Sequence, residues 1–200
     1  HPVADAAIDL VSRGRLEKGE AQALIDAYRD DLHAEPASSD RALAARIDAT
    51  EGRLFRLAGA LLAAEHGTAL TQDQRAALYA AAQGYGLSGL LFDLSARQAL
   101  GRPPLADFAA GGQGSTSVTE VAARLAGLAR TARANARGVA AGLDREDARV
   151  IAPALLPAAL TEPYLRAFEA AGAGSGAARP SITPLRRVWT LFRARHTGRP

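Results

Sequence analysis

Charged side chains that could bind a metal ion or a phosphate occur in two short segments of this 200-residue chain. The first is Arg29-Asp30-Asp31-Leu32, and the second is FDLSARQALGR at residues 92–102. In the second, Asp93 precedes Arg97 by four residues, a spacing that places both on one face of a helix. Two carboxylates at that spacing hold Mg²⁺ and so neutralise a diphosphate. A carboxylate beside a guanidinium predicts instead a helix-surface ion pair worth about 0.3–0.5 kcal/mol.

Little else in the sequence predicts a catalytic site. The chain has no cysteine, so disulfides, thiolate catalysis and cysteine-ligated zinc are excluded. No two of its four histidines have the i, i+4 spacing of a metal-binding pair. The glycine-rich residues 111–115 follow no strand pattern, and we predict a loop there. One predicted helix carries a row of arginines: Arg124, Arg130, Arg133 and Arg137. A solvated helix face is the simpler explanation for this row. Binding of phosphate or of an acidic partner is the alternative.

Composition and charge limit the partners. The formal net charge is +3, with 21 acidic residues spread among 24 basic ones, whereas nucleic-acid-binding domains concentrate basic residues on one face. We therefore expect no nucleic-acid partner. No run of about 18 apolar residues could span a membrane, and no secretory signal is evident, which predicts a cytoplasmic protein. Because the chain has no methionine, we expect it to be a fragment of a longer protein.

Hydrophobic periodicity predicts an all-α fold, organised as a single domain over residues 1–200. Thr71 with Gln74, and Ser117 with Glu120, are capping boxes that mark two helix starts. We predict helices at 2–13, 17–33, 40–66, 72–99, 117–142 and 184–195, short helices after Asp144 interrupted by Pro153, Pro157 and Pro163, and loops at 101–116 and 171–183.

Two of these helices are expected to bury a regular apolar stripe. Each stripe follows the i, i+3, i+4 spacing of a helix with one face on the core. The first comprises Ala21, Leu24, Ile25, Tyr28 and Leu32, and the second comprises Leu43, Ile47, Leu54, Leu57 and Leu61.

The predicted helix at 72–99 contains three glycines, Gly84, Gly86 and Gly89. Each interior glycine costs roughly 1 kcal/mol relative to alanine, so we expect a compensating role. Close packing against another helix is the simpler explanation. Space for a ligand beside a cavity is the alternative.

The last predicted helix has an apolar side formed by Leu185, Val188, Trp189 and Phe192, with arginines around it. Docking of this side on the body of the domain is the simpler interpretation. Peripheral association with an inner membrane is the alternative, because tryptophan and arginine suit the lipid headgroup region.

Four segments resemble the squalene/phytoene synthases, a family that condenses prenyl diphosphates. They are Arg29–Leu32 with the helix after it, GYGLSGLLFDLSARQALGR at 84–102, LPAALTEPYLRAFEAAG at 156–172 and SITPLRRVWTLFRAR at 181–195. The second resembles the family's second aspartate-rich segment, and the fourth resembles the tail of its bacterial members. The resemblance implies an all-α bundle of the isoprenoid synthase type that lacks its N-terminal helices, which hold the first aspartate-rich motif.

The chain departs from this family at the positions that bind diphosphate. Aligned on Gly101 and Arg102, Asp93 matches the first aspartate of the second motif, while Arg97 replaces the second aspartate. The other departures are Gly86 for glutamine, Gly89 for asparagine, Phe92 for arginine, Arg46 for tyrosine and Pro104 for tyrosine. The pattern is similar to that of a divergent branch that includes the mitochondrial complex I assembly factor and its bacterial relatives.

The resemblance implies candidate site residues without a confident catalytic group. They are Asp31, Gly86, Gly89, Asp93, Arg97 and Arg102, with Asp93 as the one candidate metal ligand. The first hypothesis is a pseudoenzyme that binds a lipid-like ligand or a protein partner. The second is an active Mg²⁺-dependent transferase of isoprenoid biosynthesis, which condenses two farnesyl or geranylgeranyl diphosphates. The third is an unrelated helical interaction module.

Overall fold

The computed structural model describes residues 2–106, 117–171 and 182–197, and its helices confirm the all-α prediction. Residues 107–116 and 172–181, which include most of both predicted loops, lie outside the described residues. The helices are α1 (Pro2–Ser12), α2 (Lys18–His33), α3 (Asp40–Ile47), α4 (Arg53–Glu65), α5 (Gln72–Phe92), α6 (Leu94–Ala99), α7 (Val118–Gly142), α8 (Arg145–Leu155), α9 (Thr161–Ala170) and α10 (Pro184–Thr197), with a π turn at Asp48–Gly52 and a 3₁₀ turn at Leu156–Leu160.

Helix α5 is the centre of the fold, since 12 of its 21 residues are buried. Its long contact with α7 is close: a Cβ added at Gly84 would lie 3.4 Å from the backbone nitrogen of Arg133. Close packing therefore explains this glycine. Both predicted capping boxes are confirmed, because the hydroxyls of Thr71 and Ser117 accept hydrogen bonds from the backbone three residues later.

The predicted helix at 72–99 is not continuous. Helix α5 ends at Phe92 and α6 begins at Leu94, while the residue between them, Asp93, has φ −94° and ψ 4°. These angles lie in the bridge region outside the helical range. Asp93 thus occupies a junction between two helices, and the prediction of one uninterrupted helix is wrong at this residue.

The predicted stripe of the helix at 40–66 is correct only in its first half. Leu43 and Ile47 are buried, but Leu54 is 42% exposed and Phe55 takes the core position next to it. The π turn between α3 and α4 contains one extra residue per turn, which rotates everything after it relative to a regular helix. The core face therefore moves by one residue, to Phe55, Gly59 and Ala63.

Helix α2 does not bury the stripe that its sequence predicts. None of its residues is buried, and Ile25 and Leu32 are 54% and 58% exposed. The helix lies on the outside of the bundle, where it packs on the π turn and α4. These two neighbours cover only part of its apolar side.

The proline-rich region after Asp144 is divided as expected, although not at every proline. Helix α8 continues through Pro153 and ends two residues later, where the 3₁₀ turn containing Pro157 begins. Pro163 lies in the first turn of α9, where proline is tolerated.

A backbone clamp joins the α2–α3 connection to the segment after α6. The amide of Ala37 donates to the carbonyl of Pro104 (3.1 Å), and the amide of Ala106 donates to the carbonyl of Ala37 (2.9 Å). Together they form an isolated parallel bridge between Ala37 and Leu105, both of which are buried.

Helix α10 forms as predicted, but its apolar side does not dock. Its inner side consists of the half-buried Thr190 and Leu191 and the buried Ala194, packed on the 3₁₀ turn. The predicted stripe faces outward, with exposed fractions of 79% for Leu185 and 61% for Trp189. The expectation that this stripe docks on the domain is therefore wrong.

Candidate functional site

A cavity of about 300 Å³, here called the polar cavity, opens between α2, α3, the π turn, α5, α6 and α9. Five of the six candidate residues line it: Asp31, Gly86, Gly89, Asp93 and Arg97. The sixth, Arg102, is exposed in the turn after α6 and does not contribute to the lining. Residues far apart in the sequence are thus brought to one place.

Asp31 lies between two arginines of the polar cavity. One of its carboxylate oxygens is 3.7 Å from Nε of Arg46, and the other is 3.6 Å from a terminal nitrogen of Arg97. The ion pair of Arg97 with Asp31 crosses from α6 to α2, whereas the sequence predicted a partner on its own helix. Both distances exceed those of good hydrogen bonds, so the carboxylate holds the two guanidinium groups loosely.

Two phenols with raised pKa values stand beside these charges. Tyr28 is 38% exposed, and the partial burial of its ring raises the pKa of the phenol to about 12, with further contributions from Glu51, Tyr85 and Asp31. Burial also raises the pKa of Tyr85, which Tyr164 and Glu51 increase further and Arg187 opposes. Both phenols therefore remain protonated at neutral pH and can donate hydrogen bonds.

Sequence reasoning did not select Tyr85, Thr50, Glu51 or Tyr164 as site residues, although all four line the polar cavity. A signal for Tyr85 was present, because it precedes Gly89 by four residues and Asp93 by eight. Those spacings place all three on one helix face. The π turn gave no such signal for Thr50 and Glu51, since the rotation that it introduces is not evident in the hydrophobic pattern.

The glycines of α5 have different roles. A Cβ at Gly86 would lie 2.6 Å from Cγ2 of Ile47, so this glycine permits close packing against α3. A Cβ at Gly89 would meet nothing within 4 Å. Packing thus accounts for Gly84 and Gly86, whereas Gly89 leaves space at the cavity wall.

One side of the polar cavity is apolar. Phe92 and Tyr164 contact each other with ring centroids 4.9 Å apart, and Ile47 and Leu90 extend this wall. A ligand with a polar group and a hydrocarbon portion would find surfaces of both kinds here.

The charges of the lining nearly cancel. Asp31, Glu51 and Asp93 face Arg46 and Arg97, which gives a formal charge of −1. Mg²⁺ requires oxygen ligands in near-octahedral geometry, but the residues that the structure describes contain no group of three or more acidic, histidine or cysteine side chains that could hold a metal ion. The site therefore does not fit the magnesium centre that the family resemblance implies.

No protein-family model, curated protein or solved structure matches this chain. Within the described ranges, no helix is both long and apolar enough to cross a membrane.

Proposed function

We propose that this protein is a non-catalytic binding protein, related to the squalene/phytoene synthases, whose polar cavity takes one lipid-like ligand with an uncharged or zwitterionic head. The observation that carries this proposal is the pair of contacts from Asp31 to Arg46 and Arg97. At the position of the family's second aspartate, the chain thus has a cation that is partly neutralised by a carboxylate from another helix.

The positions that depart from the family support the proposal by their location. Five of them line the polar cavity: Arg46, Gly86, Gly89, Phe92 and Arg97. A diphosphate that loses its bond to carbon needs concentrated positive charge around the leaving group. The lining has instead a formal charge of −1, and the described part of the chain contains no cluster of side chains that could hold a metal ion.

Size is a second argument against condensation. Pockets for drug-sized ligands run from about 300 to 1,000 Å³, and this cavity, at about 300 Å³, is at the lower limit. A cavity of this size suits the polar head of one lipid-like ligand and the first part of its hydrocarbon chain. Two prenyl diphosphates side by side would require far more room.

The head of the ligand follows from the donors and acceptors that line the polar cavity. Guanidinium groups and phenols donate, while Asp31, Glu51 and Asp93 accept. A hydroxyl or a zwitterion can use both kinds of partner. A bare diphosphate, which only accepts, would be repelled by the three carboxylates.

Calorimetric titration with farnesol and with farnesyl diphosphate, in the absence of Mg²⁺, tests the proposal. Farnesol should bind the unmodified chain more tightly than the diphosphate does. Asp31→Asn should narrow that preference by about tenfold, because removing one carboxylate favours an anion. Gly89→Leu should abolish binding by filling the cavity.

The matched control is Gly127→Leu, at an exposed glycine of α7 whose Cβ direction is also open. It should bind farnesol like the unmodified protein. Release of pyrophosphate from farnesyl diphosphate with Mg²⁺ would overturn the non-catalytic assignment. Equal loss of farnesol binding in both glycine variants would overturn the location of the ligand.

A further inference from the structure

We infer that the outer side of α10, together with an arginine-lined groove beside it, is a docking surface for an anionic phospholipid bilayer. This inference uses a different part of the molecule from the polar cavity and does not depend on the proposed function.

The residues of α10 divide between an inner side and an outer side. Successive residues of a helix turn by about 100°, which places Thr190 and Ala194 on the inner side. The opposite side presents four large apolar residues with exposed fractions of 79%, 64%, 61% and 49%: Leu185, Val188, Trp189 and Phe192. Trp189 and Phe192 stack with centroids 5.8 Å apart. An amphipathic helix that lies in a membrane interface has this composition.

Arginines lie on both flanks of that apolar side. The same helical geometry places Arg186 and Arg193 along one flank and Arg195 along the other. All three are exposed. Arginine side chains at the flanks of an inserted apolar face lie at the depth of the lipid phosphates.

A groove of about 750 Å³ lies between α7, α9 and α10. Arg133, Arg137, Arg166 and Arg193 line it, and among the described lining residues Glu162 is the one that is acidic. Glu162 pairs with Arg133 at 3.0 Å and with Arg166 at 2.7 Å. One carboxylate against four guanidinium groups leaves a formal charge of +3, next to the exposed ring of Trp189.

The positive charge of the C-terminal segment favours an anionic bilayer as the partner of this surface. Residues 170–200 contain six arginines and no aspartate or glutamate, so the segment that carries the apolar side is uniformly basic. The negative potential of an anionic leaflet attracts such a segment. A bilayer satisfies both the apolar side and the arginine groove at once, because it offers hydrocarbon and phosphate at adjacent depths.

Sedimentation of the full chain with phosphatidylcholine vesicles, with and without phosphatidylglycerol, tests this inference. We expect binding only to the anionic vesicles, with a blue shift of the emission of Trp189. Arg137→Gln combined with Arg193→Gln should weaken the partition coefficient by about 25-fold, at about fivefold per arginine. Val188→Ser combined with Phe192→Ser should abolish the blue shift and weaken binding.

Two control variants make the same kinds of change elsewhere in the chain, one residue at a time. Arg13→Gln removes one exposed positive charge outside the groove, and Leu100→Ser removes a leucine that is 71% exposed outside α10. Both should bind anionic vesicles like the unmodified chain. Asp31→Asn should also bind normally, which separates this inference from the ligand of the polar cavity.

Several results would overturn the inference. Equal binding to neutral vesicles, equal loss in the control variants, or no vesicle binding at all would each do so. Arginine-dependent binding of polyglutamate or inorganic phosphate without vesicle binding would instead assign the groove to an acidic protein or a free anion.

Discussion

The carboxylate of Asp31 on α2 and the guanidinium of Arg97 on α6 face each other at 3.6 Å across the polar cavity. Arg46 makes a second contact with the same carboxylate at 3.7 Å. Because one acidic group serves two cations, its removal leaves both without this counter-charge.

Asp31→Asn should therefore destabilise the chain. We expect the free energy of unfolding to fall by about 0.5–1 kcal/mol at low ionic strength, and by less in high salt, where the pair is screened. Urea unfolding followed by circular dichroism measures this. Asp26→Asn removes the ion-pair partner of Arg29. It should have a smaller effect, because the side chain of Asp26 is more exposed than that of Asp31. An equal loss of unfolding free energy in both variants would show that sharing one carboxylate between two arginines gives no extra stability.

The glycines of α5 should respond oppositely to alanine. Gly89→Ala should raise the free energy of unfolding by up to about 1 kcal/mol, since alanine favours helix and its Cβ meets no atom within 4 Å. Gly86→Ala should lower it by about 1–3 kcal/mol, because its Cβ would lie 2.6 Å from Ile47. Paired urea titrations would contradict this account if both variants changed in the same direction.

The phase shift at the π turn predicts unequal costs for two adjacent residues. Phe55→Ala should lower the free energy of unfolding by about 3–5 kcal/mol, since the side chain is only 2% exposed. Leu54→Ala, at a residue that is 42% exposed, should cost under about 1 kcal/mol. Thermal or urea unfolding distinguishes the two, and a larger cost at Leu54 would favour a regular helix without the π turn.

The phenol of Tyr28 should make the free energy of unfolding depend on pH between about 10 and 12. Its pKa is 10.0 without the fold and about 12 in the folded chain. Between these values the unfolded chain has lost a proton that the folded chain retains, so the contribution of this phenol to stability is complete below pH 10 and is lost as the pH rises towards 12. Tyr28→Phe should make the free energy of unfolding fall less steeply across that range.

Ultraviolet titration of the phenols provides a direct measurement for this residue. The unmodified protein should show a component near pH 12 that Tyr28→Phe lacks. Tyr79→Phe, at a tyrosine outside the polar cavity, should retain it. Loss of the component in the Tyr79 variant alone would contradict the assignment to Tyr28.

Local sequence signals predicted the elements of this fold well. Capping boxes are interactions among neighbouring residues, so Thr71 and Ser117 marked true helix starts. Burial was predicted less well because it depends on which elements meet. The stripe of α2 follows a correct helical period, yet Ile25 and Leu32 are exposed since no described element covers them.

The candidate site was predicted through the family resemblance more than through spacing. Asp31 and Arg97 could not be paired from the sequence, because their contact depends on how α2 and α6 are placed by the rest of the fold. Thr50 and Glu51 were missed because the π turn directs them to the cavity. Tyr85 could have been found, since it shares a helix face with Gly89.

The bridge between Ala37 and Leu105 has a consequence for how the residues of the polar cavity are connected along the chain. It closes the segment that carries α3 to α6 into a loop, and the entropy cost of such closure grows only slowly with loop length. Arg46, Gly89 and Arg97 all belong to this closed segment. Tyr164, by contrast, reaches the cavity from α9, outside this closed segment.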